Sequence, residues 1–255
     1  MKRIISYNVN GIRAALTKGF DQWMDETKAD IICLQEIKAS PEQLDLSIFE
    51  QRGYHNYWFP AEKKGYSGVA ILSRQKPDNI IYGSGVKESD KEGRVIRADF
   101  GDVSVLSIYA PSGSSGEERQ DFKMLWLASF QKYLNKLKKE RPKLILAGDF
   151  NICHKPIDIH NPISNAKSSG FLPEERAWMD QFLDKGFVDS FRHFNTQPHQ
   201  YTWWSFRANS RNKNLGWRID YQFASKELEQ QLKRSVLLPE AKHSDHCPVL
   251  LEVKF

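Results

Sequence analysis

Cysteine is scarce in this chain: three residues in 255, at Cys33, Cys153 and Cys247. They are odd in number and too widely spread for a CxxC pair or a disulfide framework. That excludes a disulfide-stapled secreted domain and fits a reducing compartment, with the thiols read as small buried apolar residues. Long apolar runs are missing too, none approaching the ~18 residues of a membrane span. The opening stretch, Met1-Lys2-Arg3-Ile4-Ile5-Ser6-Tyr7-Asn8, turns polar too soon for a secretory leader. No linker, low-complexity stretch or short repeat interrupts the chain. No dense cluster of histidines and cysteines offers zinc-site spacing. The expectation is a soluble, monomeric intracellular protein with no membrane contact, cytoplasmic (and nucleoid-associated in a bacterium), forming one domain over 1–255.

What the chain does have is a mild excess of cations and many short apolar runs. A net charge of +5 suits an anionic partner without demanding one. Apolar runs rich in β-branched residues recur at Ile4-Ile5, Ile31 to Leu34, Val69 to Leu72, Val103 to Tyr109, Leu144 to Ala147 and Val249 to Leu251. Short, bounded runs of this kind suit strands of buried sheets. Between them lie helical patterns. From Glu117 to Lys139, Phe122, Leu125, Trp126, Phe130, Tyr133, Leu134 and Leu137 recur at spacings of three and four, and Ser115-Gly116-Glu117-Glu118 has capping-box form. A second helix begins at Pro173 and exits at Gly186, and a third covers Phe20 to Thr27 with Phe20, Trp23 and Met24 inward. The pattern gives an α/β protein with two packed sheets flanked by helices and leaves the topology open.

Polar residues stand at the ends of these runs, one after another. Asn8 follows Ile4 to Tyr7, Gln35-Glu36 follow Ile31 to Leu34, and Tyr109 closes Val105 to Ile108. Asp149-Phe150-Asn151 follow Leu144 to Gly148, Asp220 follows Trp217-Arg218-Ile219, and Asp245-His246 enter the last strand. Taken singly each is ordinary: Asp-x-Asn makes turns, a lone glutamate is a solvated charge, a lone histidine a structural hydrogen bonder. Six together match what phosphodiester cleavage needs, namely charge neutralisation, an oriented water and a stabilised leaving oxygen. Oxygen donors of this kind suit Mg²⁺, which keeps several waters and needs only one or two carboxylates.

At these residues a family likeness emerges. Asn8-Val9-Asn10-Gly11-Ile12-Arg13, Leu34-Gln35-Glu36, Gly65-Tyr66-Ser67-Gly68, Tyr109-Ala110-Pro111, Gly148-Asp149-Phe150-Asn151, Gly216-Trp217-Arg218-Ile219-Asp220-Tyr221 and Ser244-Asp245-His246 appear in that order along the chain. The set resembles the exonuclease III and abasic-site endonuclease family, and the Gly-Trp-Arg-Ile-Asp-Tyr segment separates this branch from phosphatase and sphingomyelinase relatives of the same fold. The resemblance implies a four-layer α/β/β/α sandwich like deoxyribonuclease I. It implies Glu36 as the principal Mg²⁺ ligand, with Mn²⁺ as a substitute, and Asn8, Asp149, Asn151, Asp245 and His246 around the metal. Asp149 would orient or deprotonate the attacking water beside Asn151, Tyr109 would contact the phosphate or leaving group, and His246, steadied by Asp220, would hold a phosphate oxygen.

The implied partner is double-stranded DNA with abasic sites or damaged 3′ ends. Trp203, Trp217 and Ile219 match the family's walls of a pocket for a base-less sugar, and Arg13, Lys38, Tyr66 and Asn165 match positions near the DNA backbone. In the run Tyr201 to Arg207, an extended backbone would point Trp203 and Trp204 to opposite faces. Two departures stand out: Asn10 replaces an aspartate of some relatives, and Ser115 replaces an arginine that enters the duplex. The implied activity is Mg²⁺-dependent incision 5′ to abasic sites, 3′-end cleaning and 3′→5′ exonuclease digestion. The alternatives are a phosphoesterase of the same fold acting on small-molecule or lipid phosphates, and a silent DNA-binding protein, which the filled catalytic positions disfavour.

Overall fold

The computed structural model describes residues 1–255. In chain order the first nine strands are β1 (Lys2–Asn8), β2 (Ile31–Gln35), β3 (His55–Phe59), β4 (Val69–Ser73), β5 (Asn79–Tyr82), β6 (Val95–Phe100), β7 (Val103–Tyr109), β8 (Lys143–Asp149) and β9 (Phe187–Asp189). The remaining five are β10 (Trp203–Trp204), β11 (Gly216–Trp217), β12 (Asp220–Ser225), β13 (Leu232–Leu237) and β14 (Val249–Val253). They make two six-stranded sheets, ordered β13-β14-β1-β2-β4-β3 and β5-β6-β7-β8-β12-β9, with β10 and β11 as a separate ribbon. Every apolar run named from the sequence lies within one of these strands.

The layering follows from where apolar side chains bury themselves. Alternate residues of a strand face opposite sides, so a strand buried on both faces must serve two cores. Ile4, Cys33, Ile71, Val105, Ile145 and Leu251 fill one cluster drawn from both sheets, the seam between them. On the far side of the first sheet, Ile5, Leu34 and Leu72 pack against Ile12, Phe20, Met24 and Phe49 from three helices, α1 (Ile12–Leu16), α2 (Phe20–Thr27) and α3 (Ser47–Glu50). Beyond α4 (Lys87–Lys91), the long α5 (Glu117–Glu140) and α6 (Pro173–Asp184) cover the second sheet through Trp126, Phe130, Leu134, Met179 and Phe182. Helices, sheet, sheet, helices: the four-layer sandwich is present. All three cysteines are free and buried.

Two local expectations are corrected. Leu125 is 70% exposed. At about 100° per residue it lies about 150° from the middle of the stripe formed by Lys123, Trp126, Leu127, Phe130, Leu134 and Leu137. The capping box at Ser115 does not form, because the helix starts one residue later and Gly116, at φ 109°, is the N-cap with no side chain to offer. The helix at Pro173 and that at Phe20 run where the pattern puts them.

Candidate active site

The site lies where the two sheets present the ends of their central strands. Parallel pairing of β1 with β2 sets Asn8 beside Gln35, immediately before Glu36. Parallel pairing of β7 with β8 sets Tyr109 beside Asp149, and antiparallel pairing of β8 with β12 sets Asp149 beside Asp220. Tyr109, Asp149 and Asp220 therefore form one row across three neighbouring strands. Register alone gathers residues more than a hundred positions apart.

Asn8 stitches the two sheets together. Its side-chain amide donates to Glu36 Oε2 at 3.1 Å and to Asp149 Oδ2 at 2.9 Å, while its own oxygen accepts from the Asn10 backbone at 3.0 Å. Glu36 and Asn151 both hold left-handed backbone conformations, φ 54° and 53°. Asparagine tolerates this region; for Glu36 it costs about 1–3 kcal/mol, a strain of the kind that collects at functional sites. Asn151 returns its backbone N–H to Asp149 Oδ1 at 2.8 Å and its side-chain amide to the Ala110 carbonyl at 3.0 Å.

His246 Nδ1 lies 2.8 Å from Asp220 Oδ2, and its Nε2 lies 4.0 Å from Asp149 Oδ2. Burial works to lower the imidazole pKa, but Asp220's charge and hydrogen bond, helped by Asp149 and Asp245, push it up to about 10. Nε2 is thus a charged donor at neutral pH. Asp149 is raised, by burial first and then by the charge of Asp220, with His246 pulling the other way. Tyr109 is held well above its ordinary range by burial and by the charges of Glu36 and Asp149, so it stays a neutral phenol. Asp149, Asp220 and His246 bring ligating atoms within 4.8 Å of one another, spacing that suits a metal ion only when the imidazole gives up its proton.

A second network surrounds Asp245. It accepts from Asn10 Nδ2 at 2.9 Å and from Trp203 Nε1 at 3.0 Å. Burial alone would raise its carboxyl, yet His246 and these two bonds keep it below its usual range. Lys38 Nζ reaches Asn10 Oδ1 at 2.6 Å and Glu36 Oε1 at 2.9 Å. Asn10, in the place of an aspartate, thereby ties a cation and a carboxylate together through its two-sided amide.

A cavity of about 370 Å³ opens over this chemistry. Glu36, Tyr109, Asp149, Asn151, Asp245 and His246 line it together with Trp203, Trp217 and Ile219, which pack into one apolar cluster. The two indoles meet edge to face, 6.0 Å apart at 89°. Trp203 and Trp204 point opposite ways as the extended backbone requires: Trp203 into the cavity, Trp204 into a core with Tyr201 and Cys247. Asn8 and Asp220 do not reach the cavity; both are buried behind it. Arg13 and Lys38 line an adjoining groove with Asn10 and Gly65. Tyr66 and Asn165 line neither: the Tyr66 hydroxyl accepts from Arg94 at 3.3 Å and Arg119 at 3.0 Å, and the Asn165 amide is spent on the carbonyls of His160 and Asn161.

Sequence reasoning missed three supports. Arg218, fully buried, donates to Asp158 and Asp189 at 2.8 and 2.7 Å, anchoring the segment that carries Ile219 into β12 and Asp220. Buried Arg94 donates to the Tyr109 carbonyl at 2.8 Å with its guanidinium 5.0 Å from the Tyr109 ring. Lys123 and Glu175 form a fully buried ion pair behind Asn151. Ser112, Ser114, Ser169 and Gly170 also line the cavity and carried no motif.

Residues 5–246 match the model of the endonuclease/exonuclease/phosphatase family. The chain belongs to this family. The chain is 45% identical over 251 residues to an exodeoxyribonuclease of Bacillus subtilis, covering 98% of each. It is 43% identical to the DNA repair nuclease APEX1 of Danio rerio, covering 98% of this chain and 81% of that one. Among solved structures, an AP endonuclease from Archaeoglobus fulgidus superimposes over the whole of both chains with a TM-score of 0.92 at 30% identity. Kinship with exonuclease III and the abasic-site endonucleases, expected from the ordered motifs, is thus borne out within the endonuclease/exonuclease/phosphatase family. No helix is long and apolar enough to cross a membrane.

Proposed function

We propose that the protein is a Mg²⁺-dependent DNA-repair phosphodiesterase that acts as a monomeric single domain on double-stranded DNA. It incises 5′ to abasic sites, cleans damaged 3′ ends and digests duplex 3′ ends as an exonuclease. The observation that carries this reading is the mixed lining of one cavity: ionisable groups for phosphodiester hydrolysis share it with an apolar patch of Trp203, Trp217 and Ile219. A base-less sugar turned out of the duplex leaves little stacking energy behind and fits such a wall, whereas a site for a small soluble phosphate has no need of it.

The donor set fits Mg²⁺. Glu36, Asp149 and Asp245 offer hard carboxylate oxygens with a single imidazole beside them, and no thiolate lies in the cavity. Glu36 already attracts a cation, Lys38 Nζ at 2.9 Å. Bound near Glu36, Mg²⁺, or Mn²⁺ in its place, would neutralise charge on the scissile phosphate. The chain's own residues supply the rest. His246 donates from Nε2 to a non-bridging oxygen, its charge secured by Asp220. Asp149, raised toward neutral pH, orients the attacking water and accepts its proton, with Asn151 fixing the rotamer. The neutral Tyr109 hydroxyl donates to the phosphate or to the departing oxygen. Arg13 and Lys38 hold the backbone in the adjoining groove.

A nicking assay on a duplex with one abasic analogue tests this. Mg²⁺-dependent incision is expected, lost in Glu36→Ala and Asp149→Asn. Turnover of phospholipid or inositol phosphate alone would replace this reading with that of a small-molecule phosphoesterase.

A further inference from the structure

Lys123 lies in the middle of the buried stripe of α5 and is fully buried, as is Glu175 in the first turn of α6. Neither touches the cavity. Lys123 Nζ makes two bonds, to Glu175 Oε1 at 2.5 Å and to the backbone carbonyl of Asn151 at 2.8 Å. The other oxygen of Glu175 accepts from the backbone N–H of Gly170 at 2.7 Å and of Leu172 at 3.0 Å. Gln120 extends the same network, donating to Glu175 at 3.1 Å and accepting from Ser169 at 2.7 Å.

One ion pair therefore fixes two parts of the cavity at once. On one side it holds the backbone of Asn151, whose left-handed conformation aims its amide at Asp149 and Ala110. On the other it holds Ser169 and Gly170, which line the cavity, Gly170 lying against Trp217. A Cβ on Gly170 would meet Trp217 Cζ3 at 2.9 Å and the Asn151 carbonyl at 3.1 Å, so this contact tolerates no slack. Two charges buried without water are costly unless well paired. An apolar pair would fill the same space but could not donate to the Asn151 carbonyl.

We infer that Lys123, through its pairing with Glu175, is a positioning residue that sets the side-chain amide of Asn151, and with it Asp149, and the Gly170 edge of the pocket in register. The inference rests on the proposed phosphodiester chemistry, and its consequence is a role in turnover distinct from any role in stability. Misplacement of reacting groups by about 1 Å costs on the order of 10²-fold in rate.

The experiment compares wild type, Lys123→Met and Lys123→Met/Glu175→Gln by thermal melting, by steady-state kinetics on a duplex with one abasic analogue, and by amide resonances. Lys123→Met leaves a buried carboxylate unpaired and lowers Tm; the double variant carries no buried charge and recovers it. With positioning, kcat is down about 10- to 100-fold in both variants while KM changes little. The Asn151 side-chain amide resonances move in both, and the Gly170 amide moves in Lys123→Met. Recovery of kcat together with Tm in the double variant, or unmoved Asn151 resonances, overturns the inference. Should Lys123→Met fail to fold, the double variant decides alone. A wild-type protein that leaves DNA uncut defeats the functional reading, whereas the resonances still decide the role of Lys123.

Discussion

Arg218 Nε and Asp158 Oδ1 lie 2.8 Å apart with both side chains out of solvent, and the same carboxylate oxygen takes Arg192 Nη2 at 2.6 Å. Arg218 sits between two cavity residues, Trp217 and Ile219, so this pair fixes the pocket wall from below. Removing the Asp158 charge leaves buried Arg218 with Asp189 as its only carboxylate partner. Asp158→Asn is expected to lower stability by about 3–5 kcal/mol, measured by urea denaturation at pH 7.

The same group gives a pH dependence with a definite sign. Burial pushes the Asp158 carboxyl up, but Arg218 and Arg192 outweigh it and hold its pKa below the ordinary value. A carboxyl depressed in the folded state contributes stability above the unfolded value near about 3.9. That contribution fades as pH falls through the lower folded pKa. The stability gap between wild type and Asp158→Asn is therefore expected to be full at pH 6 and to narrow below pH 4. A gap that widened toward acid would contradict the assigned direction.

Asp220 is expected to act through His246. It does not reach the cavity, yet its charge and hydrogen bond keep the imidazole protonated. Asp220→Asn keeps the shape and removes the charge, so burial then favours neutral imidazole. We expect kcat to fall by about 10²-fold or more, with KM changed less. Single-turnover kinetics at saturating duplex measure this; an unchanged rate would remove His246 from the role of charged donor.

How much of this was legible in the sequence depends on how local each signal is. The strand-end polar residues were readable because each follows its own apolar run by one or two positions. The contact between Asn8 and Asp149 was not, since β1 and β8 lie in different sheets and meet only when the two sheets pack face to face. Lys123 illustrates a weaker signal: a lysine on an apolar helix face is a hint of a buried partner, and Glu175 sits two residues after Pro173, where a first-turn carboxylate reaches back to free N–H groups. Neither hint names the other. The Arg94–Glu92–Arg119–Tyr66 network left no trace at all, because four ordinary surface types meet only after β6, α5 and the loop at residue 66 are packed.

Trp203 and Trp204 offer a test of adjacent residues with opposite duties. Trp204 is buried, donates to Asn214 at 3.1 Å and carries Arg211 4.7 Å from its ring. Trp204→Ala is expected to cost about 3–5 kcal/mol of stability. Trp203 is half-buried in the cavity wall and should lose less stability on truncation, while KM for an abasic duplex rises severalfold. Trp203→Phe separates the wall from the bond to Asp245, since phenylalanine keeps a ring and loses the N–H. Paired melting and kinetic measurements distinguish all three.

Arg13 and Lys38 line one groove but differ in what else they hold. Arg13 is exposed on α1 and lines the groove, so in the proposed complex it would contribute only a charge near phosphate. Arg13→Ala is expected to weaken binding regardless of sequence and to reduce the slope of log K against log salt by about one. Lys38 is committed to Glu36 and Asn10 as well. Lys38→Ala should therefore show the same loss of salt dependence together with a lower kcat, because Glu36 loses a partner that fixes its rotamer. Fluorescence anisotropy of a labelled abasic duplex across a salt series, with kcat measured in parallel, separates the two; equal kinetic behaviour of both variants would show that Lys38 contributes charge alone.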